Sequence, residues 1–245
     1  MKKQLITLFS LAVLAVCNTF LIADDAMSAT AAVSSHSTVP DHLIYLTGQE
    51  PAWKQFPKAP APGSAVDDSD LAITLAAQAM RTDAQKAEAD HDRTYAITLV
   101  TEAIDPAFQT KYPNIFEMLQ KADSDQHYIN SMIKKQNARP RPYVGHPLLV
   151  TSLFPVKDFS YPSGHASGSE LQARLLAVLF PAQADDVIKR ARQVADSRVI
   201  AGVHYASDIA AGQTLGDLIF DALEANPQFK KDLAAAAAKD QIPLK

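Results

Sequence analysis

Apolar residues recur at helical spacing along most of the chain after residue 66. Ile115, Met118, Leu119, Ala122, Ile129, Met132 and Ile133 are separated mostly by three, four or seven positions, which predicts an amphipathic helix over 113–136. Pro140 and Pro142 in "ARPRPY" must stop it, and residues 143–161 read as a loop. Similar stripes predict helices at 164–180, 184–196 and 206–224, and a last one after Asn226-Pro227 that holds "FKKDLAAAAAK". Upstream, "DDSDLAITLAAQAMRT" opens with the acidic residues that favour a first turn, and "AQKAEADHDRTYAITLVTEA" makes a second helix or prolongs the first. No stretch alternates as a half-buried strand does, and no internal repeat is visible.

The pattern is different before residue 67. Pro40, Pro51, Pro57, Pro60 and Pro62 make 32–66 unsuited to a helix interior, so it reads as an irregular proline-rich arm. The first 31 residues carry two lysines, an apolar run from Leu5 to about Val16 and a small-residue region around Ala29-Thr30-Ala31, the layout of a cleaved signal peptide. A membrane anchor is the alternative, but Asn18 and Thr19 interrupt the run. Lipid attachment at Cys17 is the weaker option, because Val16 is the wrong size for such a site. The expectation is export to the periplasm or beyond, followed by a single all-α compact helical domain over 67–245.

Composition narrows this further. Eight glycines and 7% aromatic residues beside abundant alanine favour helices over a β-sandwich. The net charge is −4, and stays there when Lys2, Lys3, Asp24 and Asp25 leave with the leader, so no basic excess points to nucleic acid. Any anion site must therefore be built locally.

Three short segments could build one. Lys134 is followed after six residues by Arg141-Pro142. Pro162-Ser163-Gly164-His165 opens a helix, where free N–H groups and the dipole suit an anion; a cap needs only Ser163, or Ser167 with Glu170, so glycine and histidine are surplus to it. Ser197-Arg198 is followed by His204 and then by Asp208, at a spacing that can bring the carboxylate to the ring. Each segment alone has a plain explanation as a helix end or a surface pair. Together, three cations, two histidines and a carboxylate are the inventory of phosphoryl transfer, in which one histidine attacks phosphorus and the other protonates the departing oxygen. "DDSD" at 67–70, "DHD" at 90–92 and "DSDQH" at 123–127 read as solvated helix faces instead of metal ligands.

In order and spacing these segments resemble the signature of the type 2 phosphatidic acid phosphatase superfamily, which includes vanadium haloperoxidases. Flanking stretches such as "APAPGSAVDDSD" and "DSRVIAGVHYASDIAAGQTLGDLIFDALEANPQF" resemble its bacterial class A non-specific acid phosphatases. The likeness runs over roughly 50–235, and departs in that "YVGHPLLVTSLFPVKDFS" lacks the cysteines many class A enzymes carry there. It implies His204 as the nucleophile that becomes phosphohistidine, Asp208 as its orienting partner and His165 as the general acid. Lys134, Arg141, Ser163, Gly164 and Arg198 would hold the phosphate oxygens, with no metal and no cofactor. The implied activity is an acid phosphatase of broad specificity, with transfer to an alcohol as a variant and a pH optimum on the acidic side of neutral. The expected partners are small-molecule phosphate monoesters, with no nucleic acid and no stable membrane insertion after leader cleavage; a homo-oligomer is compatible with this. The competing readings are a vanadium-dependent haloperoxidase and a phosphatase of lipid phosphates.

Overall fold

Prolines and small polar caps set where the helices begin. The computed structural model describes residues 42–243. In chain order they form α1 Glu50–Trp53, α2 Ala65–Met80, α3 Asp83–His91, α4 Thr98–Thr101, α5 Phe108–Lys111, α6 Pro113–Asn137, α7 Pro142–Gly145, α8 Gly164–Leu179, a 3₁₀ turn Pro181–Gln183, α9 Ala184–Ile200, α10 Ala206–Ala225 and α11 Pro227–Lys239. Pro113, Pro142 and Pro227 each sit in a first turn, where a missing N–H costs nothing. Ser64 caps α2 by accepting the Asp67 N–H at 3.3 Å, and Thr82 caps α3 in a capping box with Gln85. Among the described residues there is no strand, and the architecture is all-α.

α8 is the hub. Leu171, Leu175, Leu176 and Leu179 are all at most 2% exposed, and Ala166, Ser167, Gly168, Gln172 and Ala173 are buried as well. Only the stripe through Arg174 and Val178 reaches solvent, so the helix is packed around most of its circumference. It packs on Ile115, Leu119, Ile129 and Ile133 of α6 and on Leu215, Ile219 and Leu223 of α10, in one cluster that continues to Phe229 and Leu233 of α11. Two glycines let α10 come this close. A Cβ at Gly212 would meet the Ser163 carbonyl oxygen at 2.6 Å, and one at Gly216 would meet that of Ser167 at 2.6 Å. No larger residue fits without separating the helices.

Two expectations need correction. The helix expected after residue 83 breaks at Asp92 and resumes only as the single turn α4. α9 runs to Ile200, four residues beyond the predicted end. Of the two caps open to α8, the helix uses Ser163: it accepts the Ala166 N–H at 3.3 Å, while the Ser167 hydroxyl turns back onto the Ser163 carbonyl. The leader at 1–31 lies outside the described residues, as does the start of the arm. From residue 42 the arm buries Leu43, Leu46 and Trp53, and Asp125 of α6 accepts the N–H groups of Ile44, Tyr45 and Leu46 at 2.5, 2.9 and 3.1 Å. No helix among the described residues is long and apolar enough to cross a membrane.

Candidate active site

Five helix ends meet at one hollow. Lys134 in the last turn of α6, Arg141 before α7, Gly164 and His165 at the start of α8, Arg198 in the last turn of α9 and His204 before α10 line a cavity of about 180 Å³. All three cations are buried: Lys134 is 6%, Arg141 4% and Arg198 1% exposed. Backbone carbonyls hold them. The Lys134 ammonium donates to the carbonyls of Phe159 and Ser160, the Arg141 Nε to Asp158 O at 2.8 Å and its Nη1 to Val203 O at 2.7 Å, and the Arg198 Nη1 to Asp92 O at 3.0 Å. Arg198 Nε has no partner among the described residues, although it is buried. An orphaned guanidinium donor costs free energy unless something anionic meets it.

The charge is correspondingly uncomfortable. Burial lowers Lys134 to about 8 despite the pull of Asp158, and burial beside Arg141 lowers Arg198 to about 9. His204 and His165 are both held well below the ordinary histidine range, first by burial and then by the surrounding cations. This is a cluster of positive groups suited to a multiply charged anion.

Hydrogen bonding fixes which nitrogen of His204 bears the lone pair. Arg141 Nη1 stands 3.0 Å from Nε2 and can only donate, so Nε2 offers its lone pair and Nδ1 carries the proton. Nδ1 faces Asp208 Oδ2 at 3.4 Å. That carboxylate oxygen also accepts the Tyr205 N–H at 2.8 Å and the Ser160 hydroxyl at 2.5 Å, so it is rigidly held. Ser163 lies just behind the wall; its N–H donates to the Asp208 carbonyl at 3.0 Å, which ties the start of α8 to the start of α10.

On the opposite side, His165 Nε2 is 3.0 Å from the Asp92 carbonyl, which can only accept, so Nε2 is protonated. The Tyr95 ring meets His165 edge-on with centroids 5.5 Å apart. Tyr95 is held in turn: its hydroxyl donates to Asp123 at 3.0 Å and fills the hollow left by Gly168, where a Cβ would lie 2.4 Å from it. Burial pushes Asp123 up to about 6.

Sequence reasoning missed a layer behind His204. Arg139, 6% exposed, donates to Asp208 Oδ1 at 2.7 Å, Ser207 Oγ at 2.8 Å, Asp70 Oδ2 at 2.9 Å and Asp67 Oδ1 at 3.0 Å, and stacks on the Tyr205 ring at 4.0 Å. The "DDSD" run is thus only partly a solvated face: Asp68 and Ser69 are exposed, but Asp67 is half-buried and Asp70 is 2% exposed. The same correction applies to Asp92, which pairs with Arg190, and to Asp123 and Asp125. Asp158 was also overlooked, although its carboxylate reaches both Lys134 and Arg141. A second hollow of about 540 Å³ between α2, α3, α9 and α10 is lined by Glu88 and Asp196 and no cation, so it would repel what the first attracts.

Residues 125–223 match the family model described as PAP2 superfamily. The chain is 36% identical to a non-specific acid phosphatase of Salmonella typhi over 129 residues, which is 50% of this chain and 51% of that protein. It is 27% identical to a non-specific acid phosphatase of Providencia stuartii over 218 residues, covering 84% of this chain and 87% of that one. The match thus spans about half the length of the Salmonella relative and most of the Providencia one. Among solved structures, the fold is similar to a transmembrane PAP2 type phosphatidylglycerolphosphate phosphatase from Bacillus subtilis, with a TM-score of 0.52 and 22% identity over 67% of this chain and 87% of that one.

Proposed function

Residues 125–223 match the PAP2 superfamily, and from that premise we propose that the chain is an exported acid phosphatase that hydrolyses small phosphate monoesters through a phosphohistidine on His204. One observation carries the reading: Arg198, whose Nε is orphaned, lines one cavity with Lys134, Arg141 and His204. The phosphoryl group sits among the three cations, with the start of α8 at Gly164 and His165 facing it. Nε2 of His204 attacks phosphorus and the bond to the ester oxygen breaks. His165 gives that oxygen a proton, and Asp208 supports the positive imidazole. Water then attacks the phosphohistidine, His165 takes its proton, and inorganic phosphate leaves. An alcohol in place of water would make the reaction a transfer.

The cations supply the charge that a divalent metal supplies elsewhere, and none is assigned a step. His165 must be protonated to act as an acid, yet its surroundings lower its pKa. A phosphate dianion reverses part of that by adding negative charge, so the substrate itself prepares the acid. The test is hydrolysis of p-nitrophenyl phosphate from pH 4 to 9 with EDTA present. Acid-side activity that survives EDTA and vanishes in His204→Ala is the expected result. A loss in EDTA restored by a metal, or full activity in His204→Ala, would sink the reading. His165→Ala should lose far more activity on an alkyl phosphate than on the nitrophenyl ester, whose leaving group needs no proton.

A further inference from the structure

Asp158 belongs to none of the motif segments, yet it stands where a substrate should. Its Oδ1 accepts from Arg141 Nη2 and its Oδ2 lies 3.3 Å from the Lys134 ammonium. It also lines the cavity that holds Arg198 and His204. We propose that Asp158 is a resident competitor for the anion site: its carboxylate takes the place of two phosphate oxygens between Lys134 and Arg141, gives way when phosphate binds, and so sets how tightly the product is held. This rests on the phosphate-site reading above.

Three observations support it. First, neither cation needs the carboxylate for its position. Lys134 is held by the Phe159 and Ser160 carbonyls, and Arg141 by the carbonyls of Asp158 itself and of Val203. Second, the Asp158 side chain is 54% exposed while its two partners are 7% and 3% exposed, so it can swing into solvent as they stay. Its loop neighbours Lys157 and Phe159 are exposed as well. Third, the carboxylate is ionised throughout the working range, because Lys134 and Arg141 outweigh burial and hold it at about 2. A phosphate dianion approaching the same two cations therefore meets a like charge at contact distance. The physical benefit is turnover. Three buried cations with no competitor would retain inorganic phosphate, the product that carries the most charge.

The experiment is calorimetric titration of inorganic phosphate at pH 6 into wild type, Asp158→Asn and Asp158→Glu, with melting curves alongside and Asp158→Ser in reserve should the asparagine variant not melt cooperatively. Removing the charge should tighten phosphate binding about tenfold or more, while glutamate should stay near wild type. Phosphate inhibition of p-nitrophenyl phosphate hydrolysis should strengthen in parallel. Equal or weaker binding in Asp158→Asn overturns the proposal, since the carboxylate would then be propping the loop. That result with an active wild type leaves the hydrolase reading intact. Tighter binding in the variant with an inactive wild type keeps the competitor and removes the hydrolase. Failure of every form to bind phosphate removes both.

Discussion

Arg139 and Arg141 are two residues apart and grip opposite ends of one couple. Arg139 holds the Asp208 carboxylate, and Arg141 faces the Nε2 of its partner His204. Their surroundings differ in kind. Arg139 is matched by three carboxylates from α2 and α10 and is closed off under Tyr205. Arg141 shares its cavity with Lys134 and Arg198, and its one carboxylate, Asp158, is half exposed. The back of the site is thus a satisfied ionic knot, while the front is an excess of like charge. Satisfied buried networks give rigidity, and unsatisfied ones store a capacity to bind.

That contrast can be broken most sharply by removing each arginine in turn. Arg141→Ala should lower kcat/KM on p-nitrophenyl phosphate roughly a thousandfold, the scale of losing a phosphate-clamping cation. It should nevertheless leave the phosphate-free melting temperature unchanged or raise it, because two buried cations are relieved of a third. Arg139→Ala should do the reverse in thermal or urea unfolding. It strands Asp70 and Asp208 without their cation, and about 3–5 kcal/mol of stability should be lost. A destabilised Arg141 variant, or an Arg139 variant as stable as wild type, would erase the distinction between the two regions.

Smaller effects sharpen it. Gly212→Ala drives a methyl into the Ser163 carbonyl and should cost about 1–3 kcal/mol, with activity falling because Ser163 and Asp208 move apart. A pH series then separates front from back. Unfolded histidines take up protons near pH 6.5, but folded His204 and His165 resist them, so the folded state binds fewer protons on the acid side. Stability should therefore fall as pH drops through about 6.5, by up to about 1.4 kcal/mol per pH unit for each histidine. Asp123 acts the other way below about 6, since the folded state keeps a proton there that the unfolded chain has released, which reduces the slope. Millimolar phosphate should flatten the decline. A melting temperature indifferent to pH between 7.5 and 5.5 without phosphate would refute the strained front.

The helices were legible because each carries its own signal in periodicity, caps and prolines. α6, α8 and α10 begin and end within a residue or two of their predicted limits. The front of the site was legible for a similar reason, as its residues lie in short segments with fixed spacing. The back was not. Asp67 and Asp70 look like ordinary first-turn acids of α2, and nothing local says that Arg139, some seventy positions later, will cover them. One signal was available: residues i and i+2 in an extended stretch face the same way. Arg139, two residues before Arg141 in "ARPRPY", was the residue this signal offered. Asp158 gave no signal of any kind, because its part is defined only by what it touches. Tyr95 was hidden similarly, since its place depends on the space left by Gly168.

The N–H of Ser163 donates to the carbonyl of Asp208, and the Ser163 side chain in turn caps α8. This amide belongs to a bond that joins the two motif segments, and it sits at the start of the most enclosed helix of the bundle. Its deuterium exchange should therefore report the integrity of the whole site, proceeding at the pace of global unfolding, while amides along the Asp158 loop exchange at the pace of local breathing. The distance between those two clocks measures how far the anion gate can move without disturbing the nucleophile.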